Sequence, residues 1–477
     1  MNFDYPNEEC GLFGVYGIPN AATMIYRGLF SLQHRGQEGA GMVISDGENV
    51  RSAKGLGLVS EVLSKGAIDG LHGSSGIGHV RYSTTGSTRI QNVQPLVVEC
   101  VDGIWAVAHN GNLVNASKLR LMYQEAGAIF QTSTDSEVLV HLLADPMYRT
   151  RPRRVARALG ELEGSFSFLL MTKSCVMAAR DRLGFRPLSI GKIGKGWVFA
   201  SETCALTQVG AEYVRDLNPG ELVVADSTGL HSSMFAESEK GKLAQCVFEL
   251  VYFARPDSTV FGESVHNVRL KYGMRLAEEY PVEADVVIPI PDSGNSAALG
   301  YSRKSGIPLD YGFIRNHYIG RTFIMPVADD RAQGVDMKLS VLKEVVNGKR
   351  VVVVDDSIVR GTTARRRVEA LRRHGAKEIH VRISCPPTAH PCFFGIDFPT
   401  REELIAGAKD VAKIREFIGA DSLGYLSTDG LLSPLKSPSS YCAACFTGNY
   451  PVDTANMKGG KRELENYSPD LGLDFSS

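Results

Sequence analysis

The stretch VVVVDDSIVRGTT (351–363) carries the strongest indication of fold in the chain. Four consecutive valines predict a parallel strand that is buried on both faces. Two acidic residues follow, and a short loop then leads into TTARRRVEALRRHGA (362–376), where capping hydroxyls, apolar spacing and Gly375 predict a helix and its end. Strand, loop and helix in this order predict an α/β domain with a parallel sheet.

The loop of this stretch has the chemistry of a phosphate site. Residues 360–363 supply backbone N–H groups, two hydroxyls and a glycine at the start of a helix, where an anion is stabilised. Asp355 and Asp356 stand where they could hold ribose hydroxyls and a hard cation such as Mg²⁺. Paired acids after a strand can also be a turn with a helix cap, and it is the combination with RGTT that favours a phosphate ligand.

VVVVDDSIVRGTT closely resembles the phosphoribosyl pyrophosphate (PRPP) motif of type I phosphoribosyltransferases. PDSGNSAALGY (291–301) looks like the pyrophosphate loop of that family, and residues 316–339 resemble its flexible loop. The resemblance implies that Ser293, Asp355 and Asp356 hold Mg²⁺. It implies PRPP contacts by Asp292, Ser293, Gly294, Asp355, Asp356, Arg360, Gly361, Thr362 and Thr363, and by Arg321 and Lys338 unless these two are solvated surface cations.

Composition bounds the class of protein. The 477 residues suffice for two or three domains, and 43% hydrophobic with 22% charged residues is typical of globular chains. A formal net charge of −1 gives no electrostatic basis for binding nucleic acid or a membrane, and the run Arg365–Arg367 predicts an exposed helix face. No stretch approaches the roughly 18–20 apolar residues of a spanning helix, and residues 1–15 lack a signal sequence, so we expect a cytoplasmic protein.

The first half of the chain has a different texture. Short strands, frequent glycine and a few helical segments predict an α+β or layered α/β/β/α domain. We predict a leader at 1–9, a first domain at 10–240, a second at 260–446 and a tail at 447–477, with the join inside 232–262.

Besides CGLFG (10–14), this half contains four polar or charged clusters in turns where side chains can face a ligand. They are LQHRGQEGAG (32–41), GHVRYSTTG (78–86), HNGN (109–112) and TSTDSE (132–137). Each is weak alone. Together, and in this order, they resemble the glutaminase domain of class II amidotransferases, which are N-terminal-nucleophile hydrolases. That resemblance implies an α+β fold of αββα layers.

Cys10 could be a core thiol, a metal ligand or a nucleophile, and the resemblance implies a nucleophile that attacks the glutamine amide. The oxyanion needs two donors, for which the Asn110 side chain and the Gly111 backbone N–H are suited. The substrate carboxylate and ammonium need partners, for which Arg81 and Asp135 are suited. By the same resemblance Arg35 and Thr84 also lie in this site, although a structural salt bridge is an equal alternative for Arg35.

No histidine stands near Cys10 in the sequence to act as its base. In the amidotransferase family the base is the α-amino group of the nucleophile itself, which requires the cysteine to be the first residue. The resemblance therefore implies that residues 1–9 are removed by cleavage between Glu9 and Cys10.

Four of the nine cysteines stand in unusual contexts: Cys246, Cys392, Cys442 and Cys445. One CxxC pair with two distant cysteines can bind either Zn²⁺ or an iron–sulfur cluster, and spacing alone does not choose. Resemblance to an iron–sulfur branch of glutamine-dependent phosphoribosyltransferases implies a [4Fe–4S] cluster. Cys100, Cys175, Cys204 and Cys385 are predicted to be core thiols.

The two resemblances together imply a pentosyltransferase that releases ammonia from glutamine and converts PRPP to 5-phosphoribosylamine, the first committed step of purine synthesis. Related enzymes imply a dimer or tetramer inhibited by purine nucleotides. One alternative is a hexosamine-phosphate synthase, which shares the glutaminase but carries sugar-isomerase domains instead of VVVVDDSIVRGTT. Another is a PRPP-sensing regulator, which would need a DNA-binding element, and the sequence shows none.

Overall fold

The structure is a computed structural model that describes residues 10–82, 89–149, 153–237, 242–316, 339–396, 398 and 400–454. These residues form two compact units. The first unit takes the described residues up to 245 together with 392–396 and 450–454, and the second takes the described residues of 246–391 and of 398–449.

The described part of the first unit is built on two antiparallel sheets. Its strands are β1 (Gly11–Tyr16), β2 (Gly39–Ser45), β3 (Val50–Leu56), β4 (Ser75–Arg81), β5 (Leu96–Cys100), β6 (Gly103–Leu113), β7 (Gly164–Met171), β8 (Val176–Arg180), β9 (Ser189–Ile193), β10 (Gly196–Ala200), β11 (Glu212–Asp216), β12 (Glu221–Asp226) and β13 (Gly229–Met234). One sheet has the order β11-β9-β10-β1-β4-β2-β3, and the other has the order β13-β12-β8-β7-β6-β5.

Helices cover the outer faces of these sheets. The helices of the described first unit are Ala21–Ser31, Val59–Val62, Lys65–Ile68, Ala116–Glu125, Glu137–Ala144, Pro146–Arg149, Arg154–Gly160 and Thr203–Gln208. Ile25 and Leu29 pack on the first sheet, and Leu139 and Leu142 pack on the second. A third apolar cluster, which includes Leu12, Val43, Ile77, Ala108 and Leu169, fills the space between the sheets. The predicted αββα layering is confirmed.

The second unit has a parallel sheet of order β17-β20-β21-β22. Its strands are β14 (Gln245–Cys246, with Cys246 in this unit), β15 (Thr259–Val260), β16 (Glu263–Ser264), β17 (Val286–Pro289), β18 (Phe313–Arg315), β19 (Leu339–Val341), β20 (Arg350–Asp355), β21 (Glu378–Ile383), β22 (Ser422–Tyr425) and β23 (Tyr441–Cys442). Its described α-helices are Val265–Glu279, Asn295–Ser305, Lys343–Val346, Thr362–Arg373, Ile405–Ala408, Val411–Ile418, Thr428–Leu432 and Ala444–Thr447.

The four valines of β20 are buried at the centre of this sheet, which confirms the predicted parallel strand. The helix predicted after it runs from Thr362 to Arg373, with Gly375 at a φ of +91° just beyond its end. Within the described residues, no helix combines the length and apolar character needed to cross a membrane.

Candidate active sites

Cys10 lies at the entrance to β1 and is 7% exposed. Because Gly11 pairs with Val80 of β4, the register places Cys10 beside the end of that strand. There the Cys10 thiol donates to the Tyr82 carbonyl oxygen at 3.6 Å. Arg81, the predicted carboxylate partner, is the last residue of β4 and is buried. Thr84 lies outside the described residues.

Arg35 is buried and contacts the backbone of Cys10, the proposed nucleophile. Its Nε donates to the Cys10 carbonyl oxygen at 3.2 Å, and its Nη1 donates to Glu202 Oε1 at 2.5 Å. His34 Nε2 lies 2.7 Å from the same Glu202 oxygen. These contacts agree with the alternative in which Arg35 forms a structural salt bridge. A direct contact between Arg35 and glutamine stays a prediction. No sequence pattern pointed to Glu202, which lies 167 residues from Arg35 along the chain.

The predicted oxyanion donors lie on β6, which packs against β1 across the space between the sheets. Asn110 is buried, and its Nδ2 has no hydrogen-bond partner among the described residues. Gly111 has a φ of +144°, and a Cβ at this position would lie 2.0 Å from the Ser165 carbonyl oxygen. A residue with a side chain would therefore displace one of the two strands, so the conformation at 111 requires glycine.

His109 and Asp135 form a buried cluster next to these donors. Asp135 Oδ2 accepts from the Leu113 N–H at 2.9 Å, and Asp135 Oδ1 lies 3.5 Å from His109 Nδ1. Burial raises the pKa of Asp135, but the His109 ring and the hydrogen bonds outweigh burial and lower it. Asp135 is therefore a carboxylate at neutral pH, as an ammonium partner must be.

His79 contacts the backbone of β6, the strand that carries the proposed oxyanion donors. Its Nε2 donates to the His109 carbonyl oxygen at 3.0 Å. Burial, with smaller contributions from Arg81 and His109, lowers the pKa of His79 to about 3. The ring is therefore neutral at physiological pH.

The second site forms where two neighbouring parallel strands end. Pro289 of β17 pairs with Val354 of β20, and the Ile290 N–H donates to the Val354 carbonyl oxygen at 2.9 Å. Both following loops therefore emerge at one edge of the sheet. Ser293 of the first loop donates through its hydroxyl to Asp356 of the second. The structure thus brings Ser293 and Asp356 together as predicted.

Asp355 and Asp356 are both buried. Burial raises the pKa of Asp355 well above its ordinary value, and the adjacent Asp356 carboxylate raises it further. Two carboxylates and a hydroxyl at one edge suit Mg²⁺, which takes one or two carboxylates and completes its shell with substrate phosphates and water. Among the described residues no group of three or more His, Cys, Asp or Glu side chains is placed to hold a metal.

The loop predicted to bind a phosphate, residues 360–363, lies at the start of helix Thr362–Arg373. Gly361 caps this helix with a φ of +84°, a left-handed conformation that favours glycine. A cavity at this position is lined by Asp355, Ser357, Ile358, Val359, Gly361, Thr363, Ala364 and Arg367.

The arginine and aspartate of the two loops already have protein partners. Arg360 Nη2 donates to Glu403 Oε2 at 2.6 Å. Arg315 donates to Asp292, whose peptide bond with Pro291 is cis. Gly294 precedes helix Asn295–Ser305, and a Cβ there would lie 2.5 Å from the Val354 carbonyl oxygen. Arg321 and Lys338 lie outside the described residues.

One prediction about this helix is wrong. The run Arg365–Arg367 was expected to form an exposed face, but Arg367 is buried, whereas Arg365 and Arg366 are exposed. Arg367 donates to Asp355 and lines the cavity. The signal was available, since Arg367 precedes the core residue Leu371 by four positions and therefore shares its helix face.

Comparison with known proteins was decisive. Residues 79–208 match the model of a glutamine amidotransferase domain, and residues 270–393 match that of a phosphoribosyl transferase domain. The chain is 50% identical over 453 residues to the amidophosphoribosyltransferase of Bacillus subtilis, covering 94% of this chain and 95% of that one. This chain belongs to the amidophosphoribosyltransferase family. Its predicted function and enzyme class are thereby confirmed: it is a glutamine PRPP amidotransferase, which acts in the first step of purine biosynthesis.

Other amidophosphoribosyltransferases show the same relationship. The protein of Methanocaldococcus jannaschii is 48% identical over 461 residues, which cover 93% of this chain and 98% of that one. A solved structure described as the allosteric regulatory enzyme of purine biosynthesis matches with a TM-score of 0.87 at 48% identity, covering 93% and 97% of the two chains. The B. subtilis enzyme in complex with ADP and GMP matches with a TM-score of 0.86 at 48% identity, covering 93% and 98%.

The four cysteines predicted to bind a cluster in this amidophosphoribosyltransferase lie in the described residues. Cys246 and Cys442 stand on strands β14 and β23, which pair with each other. The Cys445 carbonyl oxygen accepts from the backbone N–H groups of Ala389 and His390, each at 3.1 Å. Cys392 belongs to the first unit, where its sulfur accepts from the Phe394 N–H at 3.3 Å. The [4Fe–4S] cluster at these four cysteines stays a prediction.

Proposed function

We propose that Cys10 is the nucleophile of glutamine hydrolysis and that Asn110 and Gly111 bind the oxyanion. The Cys10 sulfur forms a bond to the amide carbon, and the electron pair of the C=O bond moves to oxygen. The C–N bond then breaks, and ammonia leaves with a proton from the base. Water hydrolyses the resulting thioester to glutamate and regenerates the thiol.

The base in this proposal is the α-amino group of Cys10 after removal of residues 1–9, which lie outside the described residues. A free α-amine has a pKa of roughly 7.7–8.0, so it exchanges a proton with a thiol near neutral pH. Arg81 binds the glutamine carboxylate, and Asp135 binds its ammonium group. Intact-mass measurement of active enzyme should show loss of the nine-residue leader, whereas full activity with the leader attached would refute this assignment.

In the second unit we propose that Asp355 and Asp356 bind the ribose hydroxyls of PRPP and that residues 360–363 bind its 5′-phosphate. Residues 292–294 bind the pyrophosphate, with Arg321 and Lys338 as further phosphate contacts. Mg²⁺, held by Ser293, Asp355 and Asp356, supplies neutralising charge for the pyrophosphate. The ammonia nitrogen forms a bond to C1 as the bond from C1 to the pyrophosphate oxygen breaks. The domain limits 10–240 and 260–446 belong to the same proposal.

One observation carries the glutaminase assignment: the buried Nδ2 of Asn110 has no hydrogen-bond partner among the described residues. Burying an amide without a partner costs free energy, which a ligand oxyanion would recover. Cys10→Ser tests the assignment. It should abolish formation of 5-phosphoribosylamine from glutamine but preserve formation from ammonia. Retention of glutamine-dependent turnover would refute it, and Cys100→Ser serves as a control at a second cysteine of the same unit, on strand β5.

The cluster is proposed separately on the sequence contexts of Cys246, Cys392, Cys442 and Cys445. Four thiolates can hold [4Fe–4S], which absorbs visible light through transitions from thiolate to iron. An anaerobic preparation should be brown and contain about four iron atoms per chain. A colourless protein with stoichiometric zinc, or without any metal, would refute the cluster.

Regulation and assembly are proposed on the relatives. A solved structure of the B. subtilis enzyme is a complex with ADP and GMP, which supports purine nucleotides as inhibitors of this chain. We further propose a homodimer or homotetramer located in the cytoplasm. Inhibition assays with ADP and GMP, and light scattering at micromolar concentration, test the first two statements directly.

A further inference from the structure

Arg367 lines the cavity at the start of helix Thr362–Arg373, and none of the roles proposed above is assigned to it. It lies on helix Thr362–Arg373 one turn after Thr363, and both side chains line the cavity. Helical side chains lean toward the N-terminus of their helix. The guanidinium of Arg367 is accordingly directed toward the phosphate loop and not into solvent.

The contact between Arg367 and Asp355 is an ion pair with little access to water. The two side chains are 9% and 6% exposed. Arg367 Nη1 donates to Asp355 Oδ2, while Asp355 Oδ1 accepts from the Asp356 backbone N–H at 3.0 Å. Each carboxylate oxygen is thus anchored by one donor, which fixes the orientation of the carboxylate plane.

This arrangement leaves capacity for a ligand. When ionised, a carboxylate offers about four acceptor positions; these two donors use one on each oxygen, and Asp355 also shares a side-chain hydrogen bond with Asp356. Ribose hydroxyls are hydrogen-bond donors of the kind that the remaining positions accept. The neighbouring arginines offer no such arrangement, because Arg365 pairs with Glu369 at the surface and Arg366 is exposed.

We propose that Arg367 is a positioning residue for PRPP, acting through Asp355: it holds the Asp355 carboxylate in the orientation in which its open acceptor positions receive the ribose hydroxyls. The proposal rests on the proposed role of Asp355 at the ribose. An arginine is required because a planar fork fixes an angle as well as a distance, which a lysine ammonium does not.

The test uses the full chain with ammonia as the nitrogen donor, so that Cys10 is not involved. Arg367→Met should raise the KM for PRPP by about tenfold or more, in line with loss of one partner of a buried charge pair. Arg367→Lys should give an intermediate value. Arg366→Met, an exposed neighbour, should keep the wild-type KM, and the glutaminase rate without PRPP should be unchanged in all three variants.

A double-mutant cycle separates positioning from a general structural role. If Arg367 acts through Asp355, then Arg367→Met should raise the KM for PRPP less than twofold in an Asp355→Asn background. A full additional increase would overturn the proposal. Ribose 5-phosphate and inorganic phosphate as inhibitors give a second readout. Arg367→Met should weaken inhibition by ribose 5-phosphate only, and equal weakening of both would make Arg367 a phosphate contact instead.

The experiment distinguishes failure of the positioning role of Arg367 from failure of the proposed function on which that role rests. If Asp355→Asn keeps the wild-type KM for PRPP, the proposed role of Asp355 at the ribose fails. If wild-type enzyme is active and Arg367→Met keeps a KM within twofold of it, the positioning role alone is refuted. Should Arg367→Met not fold, the Arg367→Lys variant and its cycle with Asp355→Asn decide in the same way.

Discussion

Glu202 accepts a 2.5 Å hydrogen bond from Arg35 in a place where neither side chain is exposed to solvent. Since Arg35 also donates to the Cys10 carbonyl oxygen at 3.2 Å, the ion pair connects the interior of the first unit to the backbone of the proposed nucleophile. A buried charge that loses its partner is strongly destabilising. The pair therefore links stability and glutaminase activity.

Glu202→Gln tests this link. We expect the free energy of unfolding to fall by about 3–5 kcal/mol, because the Arg35 charge is left buried without a counter-charge. Urea unfolding measures the loss, and the glutaminase rate should fall with it. Glu369→Gln is the control, since its partner Arg365 is exposed and such pairs contribute less than about 1 kcal/mol. Equal losses in both variants would contradict the interpretation.

Truncation of Asn110 should separate catalysis from stability. Its Nδ2 has no hydrogen-bond partner among the described residues, so Asn110→Ala should change the unfolding midpoint little. Loss of one oxyanion donor should lower kcat for glutamine hydrolysis by roughly 10²–10³-fold, with a smaller change in KM. Steady-state kinetics give both values. A wild-type kcat would remove Asn110 from the oxyanion site.

Gly111→Ala should disrupt the same site through the backbone. The added Cβ would lie 2.0 Å from the Ser165 carbonyl oxygen, so β6 and β7 must separate locally. We expect glutamine hydrolysis to fall by about 10²-fold or more, while ammonia-dependent activity is retained. Gly103 gives a matched control on the same strand, because its φ is also positive, at +101°, but no atom lies within 4 Å of an added Cβ. Gly103→Ala should keep full glutaminase activity.

His79 makes the stability of the first unit dependent on pH. Burial lowers its pKa to about 3 in the folded chain, from an ordinary value of 6.5. As the pH falls below 6.5 the unfolded chain binds a proton that the folded chain does not, so this contribution to stability is lost progressively between pH 6.5 and 3. Between pH 7 and pH 5 the loss is about 2 kcal/mol.

His79→Gln removes the titrating ring but can still donate to the His109 carbonyl oxygen. Urea unfolding at pH 5, 6 and 7 should show a shallower decrease for His79→Gln than for wild type. His72→Gln, at an exposed histidine, should follow wild type. Parallel curves for all three proteins would show that His79 does not titrate on unfolding.

The architecture was largely predictable because its signals are local. Four consecutive valines indicate β20, and capping residues with amphipathic spacing indicate the helix that follows it. Short strands separated by glycine turns indicate the layered first unit. The helix end at Arg373 was predicted to within two residues by Gly375. A local sequence pattern does not show which residues far apart in the chain lie together in the fold. Glu202 and His79 were therefore not predicted as supports of the site.

Among the site residues, too, some were predictable from a local pattern and others depend on contacts with distant residues. Ser293 and Asp356 were expected in one metal shell only by resemblance to the phosphoribosyltransferases, and their contact follows from two parallel strands that end at one edge of the sheet. Arg367 was missed because three consecutive arginines were judged by composition, although helical spacing distinguishes Arg367 from Arg365 and Arg366. The Arg35 alternatives could not be separated from sequence, since the decision depends on a carboxylate 167 residues away.

Residues 392–396 have a consequence for dissecting the enzyme. Asn112 Nδ2 donates to the Phe393 carbonyl oxygen at 3.0 Å, Arg186 Nη2 donates to that of Phe394 at 2.5 Å, and the Gly395 backbone packs against Gly111. The glutaminase unit is thus completed by a peptide encoded far downstream of its last strand. A gene fragment ending near residue 245 would omit this piece. Splitting the two activities into separate polypeptides therefore requires supplying residues 392–396 in trans or grafting them onto the shorter chain.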